Sequence, residues 1–160
     1  MQLLLLSAVF ASAIVKRDVN VDPSFTPGCL CTPQDANFAQ YRYQENIAYC
    51  KRNVGTAEKK RVANNYGVPK STWSSYEFDH FIPLAIGGSD DDYNLWPQPR
   101  TSDNSLSKDK VEEQAYRGMN DGTLTQRQAV QMILDWVNQN LGQNYDVDTV
   151  MGNACSGQNS

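Results

Sequence analysis

YEFDHFIPLAIGG, residues 76–88, holds the single histidine of a 160-residue chain, directly after an aspartate in a stretch otherwise fit for burial. A lone imidazole among apolar residues is more often a hydrogen-bonded core group than a catalyst. Its neighbourhood argues for more. Tyr76 to Phe81 has the aromatic content of a strand, and Pro83, Gly87, Gly88 and the acidic run Asp90–Asp92 punctuate a long loop. Tyr93-Asn94-Leu95-Trp96 then reads as a second short strand, stopped by Pro97 and Pro99. From about Asn104 to Arg117 the sequence turns helical, with Ser102 or Asp103 as cap and Leu106, Val111 and Ala115 facing inward. The order is strand, loop, strand, helix, packed as one compact α+β unit.

Working outward, the first residues, MQLLLLSAVFASA, give an apolar run that ends in Ala11-Ser12-Ala13. The run is too short to span a bilayer and fits a secretory signal peptide. Ile14-Val15-Lys16-Arg17 ends in a dibasic pair that resembles the sites cut by kexin-type processing proteases. Residues 1–17 are therefore read as signal peptide and propeptide, and 18–160 as a single domain, secreted, extracellular and with no membrane segment in its mature form. Loss of Lys16 and Arg17 moves the net charge from −4 to −6.

Export makes Cys29, Cys31, Cys50 and Cys155 candidates for two disulfides. Cys29 and Cys31 are too close in sequence to pair readily. Two connectivities stay open: Cys29–Cys50 with Cys31–Cys155, or Cys29–Cys155 with Cys31–Cys50. A zinc site is the rival use of these thiols, but Cys29-x-Cys31 lacks the two-residue spacing of zinc knuckles. No Asn-x-Ser/Thr sequon occurs.

A first helix is expected from Ala36 to Arg52 with Asp35 as its cap and Phe38, Tyr41, Ala48 and Tyr49 on one side. A second is expected after Thr56, with Glu58 near its positive end and Gly67 as its left-handed stop. Thr125-Gln126-Arg127-Gln128 is a capping box, and Ala129, Met132, Ile133, Trp136 and Val137 repeat at helical spacing before Gly142. Basic residues concentrate at Lys51, Arg52, Lys59, Lys60 and Arg61 in an otherwise acidic chain. A solvated helix face would show the same run, but phosphate contacts also need this chemistry.

Asp79-His80, then Asn94, then Asn104 followed by Lys108, resembles the HNH motif of the ββα-metal nucleases. YEFDHFIPLAIGGSDDDYNLWPQP, the later KDKVE and the upstream RNVGTAEKKRVANNYGV are similar to a family of small exported HNH-type nucleases, mainly bacterial with fungal members. The resemblance covers roughly residues 50 to 136. It implies a ββα-metal (HNH) finger with accessory helices, tied by disulfides, and one divalent cation: Mg²⁺ first, with Mn²⁺ or another divalent ion able to serve.

By that resemblance His80 is a general base whose ring is oriented by a backbone carbonyl of the following loop. Asp79 and Asn104, or Asp103 one residue earlier, would bind the cation. Asn94 would brace the loop, and Lys108 would touch the scissile phosphate or stay in solvent. Glu77 is read as an ion-pair partner, and Trp73 and Trp96 as buried packing before base stacking. The implied activity is hydrolysis of phosphodiester bonds in DNA, RNA or both. Nucleic acid would be held through its phosphates by Lys51, Arg52, Lys59, Lys60 and Arg61. The alternative is a non-enzymatic secreted effector or binding protein that keeps the nuclease fold.

Overall fold

The computed structural model describes residues 19–153 and Cys155, with the side chains of residues 102–104 excepted. The signal peptide and dibasic site read at residues 1–17 lie outside the described residues. The chain is α+β. Two antiparallel pairs, β1 (Phe38–Arg42) with β2 (Ile47–Cys50) and β3 (Tyr76–His80) with β4 (Leu95–Pro99), are joined by helices α1 (Thr56–Asn65), α2 (Ser102–Asn120), α3 (Gln126–Leu141) and α4 (Val147–Gly152).

The helix expected over Ala36–Arg52 is instead the β1–β2 hairpin. Phe38, Tyr41, Tyr43, Ile47 and Tyr49 are aromatic or β-branched, types that fit a pleated surface better than a helix. The reversal uses left-handed backbone at Tyr43 (φ 63°) and Asn46 (φ 54°). Asp35 caps no helix; its carboxylate accepts from the Thr32 amide at 2.6 Å and from the Ser89 hydroxyl at 2.9 Å. The helix after Thr56 forms one residue earlier than read, with Gly55 as cap and Glu58 accepting from its amide at 2.9 Å. α3 forms as its spacing predicts, capped by Thr125 and Gln128 and ended by left-handed Gly142.

Pro97 and Pro99 do not stop β4; they lie inside it. Their spacing explains why. Residues two apart direct their backbone N–H to the same edge, and in a two-stranded sheet one edge of β4 has no partner strand. The register pairs Asp79 with Trp96 and His80 with Leu95. Successive residues of a strand face opposite ways. Phe78 and Leu95 accordingly meet α1 through Val62, Ala63 and Val68, while Trp96 joins the larger core of Ile82, Ile86, Ala115, Ile133 and Val137. In α2 the inward stripe runs through Lys108, Ala115 and Met119, and Leu106, read as inward, is 58% exposed.

The disulfides are Cys29–Cys155 and Cys31–Cys50. They fit an oxidising, extracellular setting. Among the described residues no helix is long and apolar enough to cross a membrane. The two bridges close loops of 126 and 19 residues. By loop entropy their removal is expected to cost about 5 and about 3 kcal/mol respectively. Urea titrations of the Cys29→Ser/Cys155→Ser and Cys31→Ser/Cys50→Ser pairs check the order.

Candidate active site

The loop between β3 and β4 is folded around one buried amide. Asn94 Oδ1 accepts from the Ile82 amide at 3.0 Å, and its Nδ2 donates to the carbonyls of Ile82 (2.8 Å) and Ser89 (2.7 Å). Asn94 is thus a brace, the role read for it, and its side chain hydrogen-bonds neither Asp79 nor His80. Gly88 makes the close return of the loop feasible, since a Cβ there would lie 1.9 Å from the Ile82 carbonyl oxygen.

The brace presents Asp90 to the imidazole. Asp90 Oδ1 accepts from His80 Nε2 at 2.7 Å, while its Oδ2 accepts from the Asn53 amide at 2.7 Å and Asn37 Nδ2 at 3.0 Å. The other ring nitrogen, Nδ1, accepts from Arg52 Nη1 at 3.1 Å, and Arg52 Nη2 donates to the Phe78 carbonyl at 2.8 Å. A guanidinium only donates, so Nδ1 carries the lone pair and Nε2 carries the proton. The ring is 4% exposed, and its two nitrogens are taken up by a carboxylate and a guanidinium. Its orienting group is a carboxylate, where a backbone carbonyl had been read. A carboxylate holds the tautomer more firmly, because its bond is charge-assisted.

Asp79 turns the other way, as the strand alternation requires. Its Oδ2 accepts from Lys108 Nζ at 2.7 Å; the same ammonium donates to the His80 carbonyl at 3.2 Å and to Glu112. Lys108, read as a phosphate contact or a solvated residue, is 1% exposed and serves as neither. Burial would push the Asp79 carboxyl up, but the Lys108 ammonium and its hydrogen bond hold it below the ordinary value. Burial would likewise favour a neutral Lys108, and the two carboxylates reverse that and raise it. Glu112 is lifted by burial despite the attraction of Lys108.

The basic residues differ in their partners. Arg61 is bound to Asp92 and Glu58, and Lys59 lies 6.0 Å from the Phe78 ring centroid. Lys51, Arg52 and Lys60 are exposed, and of these Arg52 reaches the imidazole. Glu77 is exposed and makes no ion pair among the described residues. Trp96 is buried, and Trp73 packs edge-on to Phe78 at 5.2 Å, as read.

Hard carboxylate and amide oxygens on Asp79 and Asn104 fit a divalent cation in kind. Asp79 Oδ2 is already held by Lys108; the side chains of Asn104 and Asp103 lie outside the described residues. Cys31, Cys50 and Asp35 also cluster, but the two sulfurs are bonded to each other and supply no thiolate, which disposes of the zinc reading as well. Sequence reading missed Asp90 and Glu112. Glu112 had a signal, its i,i+4 spacing from Lys108. Asp90 had only its place in an acidic run.

Lys108→Met is expected to lower stability by about 3–5 kcal/mol, because it strands two carboxylates. Asp79, with a depressed folded pKa, contributes stability that is complete above its unfolded value near 3.8 and is lost as pH falls through the folded one. Glu112, with a raised pKa, acts in the opposite sense. Chemical denaturation of Asp79→Asn from about pH 6 down to about pH 3 should therefore show a shallower acid loss than the parent chain.

Compared with protein-family models, with curated proteins and with solved structures, the chain matches none.

Proposed function

We propose that this chain is a secreted phosphodiester hydrolase of the ββα-metal (HNH) kind, an endonuclease that cleaves DNA, RNA or both with little sequence preference. The observation that carries the reading is the imidazole of His80, protonated at Nε2 against buried Asp90 and basic at Nδ1. In this reaction Nδ1 takes a proton from water as the water oxygen bonds to phosphorus. The bond from phosphorus to the 3′-oxygen breaks, and that oxygen takes a proton from solvent, leaving 5′-phosphate and 3′-hydroxyl ends. Asp90 stabilises the imidazolium that forms and prevents the ring from turning.

Arg52 has two tasks. A phosphodiester is a stronger partner for a guanidinium than a neutral ring nitrogen is, so substrate draws Arg52 to itself and uncovers Nδ1. Lys51 and Lys60 add exposed positive charge for the flanking phosphates. A divalent cation would be held by Asp79 and by Asn104, which lies one helical turn before Lys108. Such an ion would supply charge neutralisation to a phosphodiester, but Asp79 lies on the opposite face of β3 from the His80 ring, so no step of the hydrolysis is routed through it. Lys108 and Glu112 position Asp79 and the His80 backbone without touching substrate.

A non-enzymatic effector is favoured by one observation, the burial of the His80 ring. Cleavage of plasmid DNA, single-stranded DNA and RNA with Mg²⁺ or Mn²⁺, with and without chelator, separates the two. The hydrolase reading expects cleavage by the parent chain and a loss of about 10²–10⁴-fold in folded His80→Ala. Asp90→Asn should lower kcat with little change in KM, and Arg52→Ala should raise KM and weaken the salt dependence of binding. A parent chain inactive on all three substrates overturns the reading.

A further inference from the structure

We infer that the cleft between Val19 and Asn20, β4 and the end of α3 binds a single nucleobase. It encloses about 310 Å³ between Val19, Trp96, Gln98, Thr101, Asn140 and Leu141, and none of the described residues that line it is charged. That lining offers a phosphate or an inorganic ion no ion pair and suits a neutral ligand.

Gln98 is the decisive residue. It is 3% exposed. The other buried polar side chains, Thr26, His80, Ser89, Asp90, Asn94, Lys108 and Gln126, all hydrogen-bond within the protein. The Gln98 amide has no such bond among the described residues, although it lines the cleft. The indole Nε1 of Trp96, on the same strand, is buried without an acceptor, whereas the Gln98 amide is reached from the cleft. Buried polar groups are normally paired, and a carboxamide without a partner in the wall of a cleft is a site for something that pairs with it. Its donor and acceptor lie side by side, which is the pattern that complements a base edge. Val19, Pro99 and Leu141 give apolar contact for a flat heterocycle.

Position supports the class of ligand, and this step rests on the hydrolase reading. Gln98 lies two residues along β4 from Trp96, which is the register partner of Asp79. Two residues of strand span about 7 Å, so the base bound here belongs to a nucleotide close to the Asp79 side of the β3–β4 pair. A base seated against Gln98 must be unpaired. The site therefore favours single strands or frayed ends, with a preference at one nucleotide position superimposed on otherwise unselective phosphate contacts.

The test is a side-chain amide and indole ¹H–¹⁵N titration of the mature protein with adenosine, guanosine, cytidine and uridine in turn. At least one nucleoside is expected to move the Gln98 Nε2 and Trp96 Nε1 resonances saturably. Gln98→Leu should weaken that nucleoside by at least about tenfold. If Gln98→Leu does not fold, the rim variant Thr101→Val carries the test with the same expectation. No response to any nucleoside, or an unchanged affinity in the variant that folds, overturns the site. Nucleoside binding by a chain that cleaves nothing would overturn the hydrolase reading alone, and cleavage without nucleoside binding would overturn the pocket alone.

Discussion

One buried ammonium holds the centre of this molecule in place. Lys108 brings a full charge into the interior, which costs several kcal/mol in lost hydration and is tolerable only where oxygens replace the water. Asp79, Glu112 and the carbonyl of His80 do so. Two of these groups end β3 and the third lies on α2, so the ion pair fastens the strand to the helix beside it. Because the His80 carbonyl is one of the three acceptors, the backbone that carries the imidazole is fixed from behind. The ring is then free to be aimed only from the front.

That front is built by the loop and the first hairpin. Asn94 closes the loop by replacing backbone contacts that a strand would have made, and the closure fixes Asp90 against His80. β2 ends at Cys50, which is tied to Cys31, and the next residues are the ones that meet the site: Arg52 on the ring and the Asn53 amide on Asp90. The acidic run divides its work. Asp90 orients the imidazole, Asp91 accepts from the Tyr93 amide at 3.0 Å in the turn before β4, and Asp92 holds Arg61. Burial raises the Asp91 carboxyl against that hydrogen bond. A run of like charge is thus tolerated because its members face different partners.

The sequence made the strand-loop-strand-helix order legible, because Pro83, the paired glycines and the aromatic content of Tyr76–Phe81 are local signals. α3 was legible for the same reason, through its capping box and apolar period. The β1–β2 hairpin was not: over Ala36–Arg52 the apolar residues satisfy a helical period about as well as an alternating one, and the reversal at Tyr43–Asn46 uses no glycine. β4 was cut short because a proline reads as a stop unless the free edge of the strand is known. In the site, Asn94 was legible as a brace, but the partners of His80 and Lys108 were set by packing. A strand sends Asp79 and His80 apart, and only the placement of α2 and the loop decides that one finds an ammonium and the other a carboxylate.

The central claim is that Asp90 fixes His80 as a base with its lone pair on Nδ1. Imidazole ¹⁵N shifts of the folded protein, recorded through the ring carbon-bound protons, test it most directly. A pyrrole-type Nε2 and a pyridine-type Nδ1 are expected, with the preference relaxed in Asp90→Asn. A proton found on Nδ1 in the parent chain, or a tautomer indifferent to Asp90, would contradict it.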